Sequence, residues 1–207
     1  LQTKGLLLWV YNDQARKSHA FWRFKFEVRM LKVPQQVAYI IPGASELLDF
    51  FVPAHHQNFR WSVYSCSGFS ANVDQEEYGG MDPMWNDMLR EHANNPFHVM
   101  IGGGAKVRIE YIWKQLSAVY NDKVADIDIV KSNIRPKNMN SEEEEIVPPE
   151  IIAAIDRFLF ANYLECFNSP AMARAMARIP MVNMLDDHDL VDGFGTYPDD
   201  LMMSGVF

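Results

Sequence analysis

The sequence lacks an apolar run long enough to cross a membrane. A transmembrane helix needs about 20 mostly apolar residues, whereas the apolar run closest to the start covers only residues 6–11. The same region lacks the basic, apolar and small-residue zones that together form a secretory signal. We therefore expect a soluble, cytoplasmic (intracellular) protein without a transmembrane segment.

Cysteine and positive charge are also scarce. The two cysteines, Cys66 and Cys166, lie far apart and predict no disulfide framework, which fits a reducing compartment. The formal net charge of −8 leaves no continuous basic surface, so the composition argues against nucleic-acid binding as the main activity. The chain is nevertheless 48% hydrophobic and 13% aromatic, which is enough to form a sizeable core.

Short apolar segments separated by turn-prone residues dominate the first quarter of the chain. Segments of this kind occur at residues 6–10, 24–28 and 36–41. Their length and spacing are typical of antiparallel strands. The sequence therefore predicts a small β-rich module over residues 1–53.

The next part of the chain predicts a βαβ unit. Residues 59–66 form an apolar strand pattern, residues 84–92 have helical composition and spacing, and residues 96–101 form a second strand pattern. A strand, a helix and a strand with tight connections make a βαβ arrangement.

Two helices and a further strand are predicted near the end of the chain. The pair Pro148-Pro149 marks a helix start, and apolar residues then recur at helical spacing as far as Phe167. A shorter helix is predicted from Pro170 to Arg178, followed by a strand that leads into Asp186.

Reactive or conformationally permissive residues follow three of these predicted strands. They are Cys66 after the first, Gly102, Gly103 and Gly104 after the second, and Asp186, Asp187, His188 and Asp189 after the third. In α/β proteins ligands bind outside the carboxyl ends of the strands, and thiolates, carboxylates and imidazoles bind transition metals. Each signal alone has a plain alternative, because buried thiols, glycine turns and acidic surface turns are all common. Together they predict a metal site.

These motifs resemble the PhoD-like phosphatases, also called alkaline phosphatase D, and in particular the fungal-type intracellular branch of these metallophosphoesterases. The resemblance rests on residues 59–70, 81–85, 97–104 and 184–200. It implies an α/β (α+β) fold in which the N-terminal module is β-sandwich-like. Part of a metallophosphoesterase-type α/β/β/α core would then occupy residues 54–207.

The resemblance also implies a chemistry. Family members hydrolyse phosphate mono- or diesters through a metal-activated water, typically with iron and calcium. By similarity, the metal ligands would be Cys66, Tyr120 and Asp187, with Asp186, Asp189 and Asp192 as supporting or alternative ligands. His188 would lie beside the leaving group, and Gly102, Gly103 and Gly104 would allow the backbone to approach the phosphate. The expected partner is a phosphate-ester substrate.

Two departures from the family pattern support a second hypothesis. The family places an Asp that bridges both metals after the glycines, whereas this chain continues with Ala105-Lys106, followed by an unfamiliar stretch from Val107 to Ala118 that is either an insertion or a retained intron. Family members also continue well beyond the equivalent of Phe207, so we expect an N-terminal fragment whose exposed strand edges allow self-association. The alternative function is therefore a catalytically inactive fragment, or a binding or scaffold module, that retains the phosphatase fold.

Overall fold

The computed structural model describes residues 2–12, 18–69, 73–104, 149–189 and 193–199. The strands of this part of the chain are β1 (Leu6–Asn12), β2 (Ser18–Arg23), β3 (Gln35–Tyr39), β4 (Leu48–Val52), β5 (Trp61–Tyr64), β6 (Val99–Gly102) and β7 (Met181–Asn183). The α-helices are α1 (Pro83–Asn94), α2 (Pro149–Phe167) and α3 (Pro170–Arg178), and short 3-10 helices cover Gln75–Tyr78 and Asp187–Asp189. Helices and strands thus alternate after β4, which confirms the predicted α/β fold class.

The first four strands form two separate antiparallel pairs, β1 with β2 and β3 with β4. This confirms antiparallel strands in the β-rich region. The predicted strand at residues 24–28 is wrong, because β2 occupies residues 18–23 instead. The register explains the difference: Arg23 pairs with Leu6, the first residue of β1, so the backbone beyond Arg23 has no strand of this pair beside it.

Strands β5, β6 and β7 form one parallel sheet with β6 in the centre. The segment β5–α1–β6 is the predicted βαβ unit, and the strand predicted before Asp186 is β7. Pro83 begins α1 and Pro170 begins α3. Proline suits the first turn of a helix because the N–H that it lacks has no partner there.

The helices α1 and α3 pack against each other and against one face of this sheet. Side chains alternate between the two faces of a strand, and Met100 in β6 points into the helices with no exposed surface. The buried cluster consists of Trp85, Met100, Ala171, Met172, Ala175 and Ile179. On the other face, Val63, Ile101 and Val182 lie side by side in register and are exposed.

The pair β3–β4 contacts the carboxyl end of α3. The hydroxyl of Tyr39 donates a hydrogen bond to the carbonyl of Ala177 at 2.6 Å, and Arg178 forms ion pairs with Glu46 and Asp49. Cations near a helix C-terminus and donors to its last carbonyls are both favourable. The division of the chain at residues 53 and 54, and the sandwich-like packing of the first module, stay predictions.

None of the helices in the described ranges is both long enough and apolar enough to cross a membrane.

Candidate metal centre

The residues that follow the three parallel strands meet at one edge of the sheet. Tyr64, Gly102 and Asn183 lie side by side in register, so the chain leaves all three strands at the same level. Beyond this row, the backbone N–H of Cys66 donates to the carbonyl of Gly104 at 2.8 Å. The predicted convergence of the three strand exits is therefore present in the structure.

The second exit requires glycine. Gly104 has a φ of +107°, and a Cβ at this position would overlap the Cβ of Asp186 and lie 2.9 Å from its backbone nitrogen. A Cβ at Gly102 would overlap the side chain of Asn183, whose Oδ1 accepts a hydrogen bond of 2.7 Å from the hydroxyl of Tyr64. The glycines therefore let the acidic third exit approach the second.

Asp186, Asp187 and His188 form a cluster at this edge. Each offers one ligand atom, and the three atoms lie within 4.8 Å of one another. Nδ1 of His188 lies 3.2 Å from Oδ1 of Asp186 and 3.1 Å from Oδ1 of Asp187. Because the carboxylates are acceptors, they favour a proton on Nδ1, which sets the tautomer of the ring. Each of the three side chains is about one third exposed, so solvent and ligands can reach them.

Backbone and side-chain hydrogen bonds stabilise the ionised form of Asp187. The backbone N–H of Gly193 donates to its Oδ2 at 2.7 Å. That hydrogen bond is the largest cause that lowers the pKa of Asp187 from 3.8 to about 2, followed by the hydrogen bond with Asp186. Asp187 is therefore ionised at neutral pH, as a carboxylate metal ligand must be.

Asp189 has a different environment from its neighbours. Its side chain is buried with 1% of its surface exposed, and its Oδ2 accepts a hydrogen bond from the backbone N–H of Asp186 at 3.1 Å. Its carbonyl accepts a hydrogen bond of 2.6 Å from the hydroxyl of Tyr163 in α2. The cluster of mutually close ligand atoms contains Asp186, Asp187 and His188 but not Asp189.

Of the other predicted ligands, Cys66 lies within the described residues and two do not. Cys66 is exposed at the first exit with a φ of +56°, an unusual value for a residue with a side chain. Tyr120 and Asp192 lie outside the described residues, as does the bridging position at Ala105. The metal-binding role of every one of these residues stays a prediction.

The remaining titratable groups near the core have structural roles. His92 accepts a hydrogen bond on Nδ1 from the backbone N–H of Phe97 at 3.0 Å, and His98 accepts one from the backbone N–H of Arg60 at 2.8 Å. Desolvation lowers the pKa of both imidazoles. Desolvation also raises the pKa of the Cys166 thiol to about 11, which keeps it protonated.

A largely apolar cleft of about 410 Å³ adjoins the first exit. Its walls come from the segment after β5, including Cys66 and Ser67, and from α1, including Trp85 and Met88. The acidic residues in its lining have partners: Asp87 pairs with Arg90, Glu91 pairs with Arg60, and the carboxylate of Asp82 accepts a hydrogen bond from α3. The cleft could therefore accommodate the apolar part of a ligand held at the sheet edge.

Sequence reasoning missed Tyr64, Tyr163 and Asn183 as residues that shape the site. Their hydrogen bonds join residues that are 119 and 26 positions apart in the chain, so no local spacing could indicate them. The only local signal was the position of Asn183, a polar residue within the apolar segment before Asp186.

The donor set of the cluster fits a metal ion. Two carboxylates and an imidazole within 4.8 Å match the ligands that iron and other transition metals accept, and carboxylates also suit calcium. The nearby Cys66 offers a sulfur ligand of the softer kind. The geometry thus supports metal binding by the carboxylates of Asp186 and Asp187, with the imidazole of His188 beside them.

Comparison with known proteins identifies the family of this chain. The model of the family described as PhoD related phosphatase matches residues 35–207. The uncharacterized protein YGR266W of Saccharomyces cerevisiae is 27% identical over 216 residues, which include 96% of this chain. The chain spans 29% of the length of this curated relative. No solved structure matches the chain. Because the family model covers most of the sequence, this chain belongs to the PhoD-related phosphatase family.

Proposed function

We propose that the chain is a metal-dependent phosphoesterase that hydrolyses phosphate mono- or diesters at the carboxyl edge of its parallel sheet. The observation that carries this proposal is the cluster of Asp186, Asp187 and His188, whose ligand atoms lie within 4.8 Å of one another. Its position outside the carboxyl ends of parallel strands is where α/β proteins bind their ligands. Membership in a phosphatase family supplies the reaction type.

The residues of the cluster have complementary roles in this proposal. Asp187, whose pKa is about 2, provides a permanently charged ligand, and Asp186 provides a second carboxylate. Bound metal ions, by family resemblance iron and calcium, would supply Lewis acidity toward a phosphoryl oxygen and toward the attacking water. His188 is the candidate proton donor to the departing oxygen through Nε2, because its Nδ1 is engaged by the two carboxylates.

Two further features concern the surroundings of the site, namely its glycines and the redox state of the compartment. The family resemblance gives Gly102, Gly103 and Gly104 a role beside the phosphate, and in this structure Gly102 and Gly104 allow Asn183 and Asp186 to approach the second exit closely. Neither Cys66 nor Cys166 forms a disulfide bond, which supports a reducing, cytoplasmic compartment.

A second candidate function is a catalytically inactive module that retains the phosphatase fold. The specific observation in its favour is Ala105, which stands directly after Gly104 where the resembling family places the bridging Asp. An alanine side chain has no ligand atom, so this position cannot bind a metal. The two candidates differ in metal content and in turnover.

One experiment separates the two candidates. The purified chain would be analysed for bound metal by elemental mass spectrometry and assayed with a chromogenic phosphate ester, with and without added iron and calcium. We expect bound metal and turnover, and Asp187→Asn should abolish turnover while Asp199→Asn, an exposed acidic control, should not. A folded, metal-free and inactive chain would instead establish the scaffold reading.

A further inference from the structure

The segment that carries the cluster of Asp186, Asp187 and His188 is itself held by two residues that do not belong to this cluster. Asp186 precedes the short 3-10 helix Asp187–Asp189, and its Oδ1 accepts a hydrogen bond from the backbone N–H of His188 at 3.0 Å. In the other direction, Oδ2 of Asp189 accepts a hydrogen bond from the backbone N–H of Asp186 at 3.1 Å. The side chain of Asp186 thus accepts from the residue two positions later, and the side chain three positions later accepts from the N–H of Asp186, an arrangement similar to a helix capping box.

The buried member of this pair is Asp189. A carboxylate with 1% exposure is unfavourable unless hydrogen bonds compensate for its lost hydration. Besides the bond to Asp186, a backbone bond from the N–H of Asp189 to the carbonyl of Asp186, at 3.0 Å, closes the same turn. Asp189 therefore fixes both ends of the segment that contains the two carboxylates and the imidazole.

Tyr163 joins this turn to a helix. Its hydroxyl, on α2, donates to the carbonyl of Asp189 at 2.6 Å, and its ring lies 5.9 Å from that of Phe167. Desolvation is the main cause that raises the pKa of Tyr163 to about 12, so the hydroxyl remains a donor at any physiological pH. The turn is thus anchored to a second element, apart from the strand that precedes it.

We propose that Asp189 and Tyr163 are positioning residues, which hold the turn so that the carboxylates of Asp186 and Asp187 and the imidazole of His188 lie together, and that Asp189 does not bind metal itself. This inference rests on the proposed metal site, and it assigns Asp189 a role different from that of a ligand. Residues that orient metal ligands typically affect metal affinity by about 10- to 100-fold when they are removed.

The variants that test this proposal separate charge from hydrogen bonding. Asp189→Asn keeps an acceptor oxygen for the N–H of Asp186 but removes the negative charge, whereas Asp189→Ala removes both. Tyr163→Phe removes only the hydroxyl of the tyrosine. Asp187→Asn is the reference for the loss of a metal ligand, and Asp199→Asn is the control at an exposed acidic residue. Circular dichroism and thermal melting would establish that each variant of the full chain folds.

The first measurement is a Mn²⁺ titration followed by electron paramagnetic resonance. We expect Asp189→Asn to bind within about threefold of the unaltered chain, Asp189→Ala to lose about 10- to 100-fold in affinity, and Tyr163→Phe to lose less than Asp189→Ala. A loss in Asp189→Asn as large as that in Asp187→Asn would overturn the proposal, because it would identify Asp189 as a ligand.

The second measurement needs no metal. Amide hydrogen exchange of the metal-free chain reports the bonds of the turn directly, and we expect the N–H of Asp186 to exchange at least about tenfold faster in Asp189→Ala but not in Asp189→Asn. Unchanged exchange in Asp189→Ala would overturn the positioning role. If the unaltered chain bound no Mn²⁺, the proposed function would fail, while the exchange data would still decide whether Asp189 holds the turn. Tyr163→Phe should speed the exchange of the Asp189 N–H, and unchanged exchange there would overturn the anchoring role of Tyr163.

Discussion

The carboxylate of Asp82 accepts a hydrogen bond of 2.9 Å from the backbone N–H of Ala171, although the two residues belong to different helical segments. Asp82 directly precedes α1, where its side chain forms no capping bond, and Ala171 lies in the first turn of α3, whose own preceding residue Ser169 forms none either. One side chain thus caps the N-terminus of a neighbouring helix, where negative charge is also favoured by the helix dipole.

The first prediction concerns this cap. Asp82→Ala should lower the free energy of unfolding by about 0.5–2 kcal/mol, because the first turn of α3 loses its acceptor. Asp82→Asn, which keeps an acceptor oxygen, should lower it by less. The measurement is urea denaturation monitored by circular dichroism. Asp87→Ala is the matched control, since its pair with Arg90 is largely exposed and contributes little. Equal effects of Asp82→Ala and Asp87→Ala would show that the cap does not stabilise the fold.

The second prediction concerns the close contact at Gly104. Gly104→Ala should destabilise the chain strongly, because the new methyl group would overlap Asp186 and the φ of +107° disfavours a side chain. Gly43→Ala is the control, because Gly43 also has a positive φ, +89°, but no atom lies within 4 Å of an added Cβ. The difference between the two variants isolates the steric overlap, and it should be about 1–3 kcal/mol of unfolding free energy. A difference near zero would mean that the second and third exits do not touch.

Much of this arrangement could be predicted from the sequence, and the part that could not has a common cause. Apolar periodicity located the three parallel strands and their helices, because the apolar patterns of a strand and of a helix both repeat over only a few residues. The convergence of Cys66, Gly104 and Asp186 followed from the rule that parallel strands end at one edge. The buried role of Asp189 could not be read from the sequence, because its partner Tyr163 lies on a separate helix and an acidic run normally indicates an exposed turn. The strand at residues 18–23 was missed in favour of residues 24–28, since Phe24 and Phe26 alternate with polar residues whereas Phe21 and Trp22 are adjacent, and only the register with β1 selects the first segment.

The third prediction concerns the exposed face of the parallel sheet. Val63 is 60% exposed and Val182 is 63% exposed, although parallel sheets are normally covered on both faces. We expect the purified chain to self-associate through this face, and Val63→Lys or Val182→Lys should shift it toward the monomer in sedimentation velocity. Val33→Lys is the control, because Val33 is 61% exposed but lies outside the strands. A monomer that stays unchanged across all variants would contradict self-association through the sheet.

The last prediction is a dependence of stability on pH that comes from His92 and His98. In the folded chain the Nδ1 atoms of both rings accept backbone hydrogen bonds, and desolvation lowers the pKa of both below the usual 6.5. The unfolded chain therefore binds more protons than the folded chain once the pH falls below about 6.5. The contribution of the two histidines to the free energy of unfolding must decrease in that range and be fully present above it.

Thermal melting between pH 8 and pH 5 should show this decrease. The double variant His92→Asn with His98→Asn should reduce the slope, because an amide oxygen accepts the same bonds without titrating. The exposed His55→Asn should leave the slope in place, and an equal slope in all variants would show that neither buried imidazole controls it.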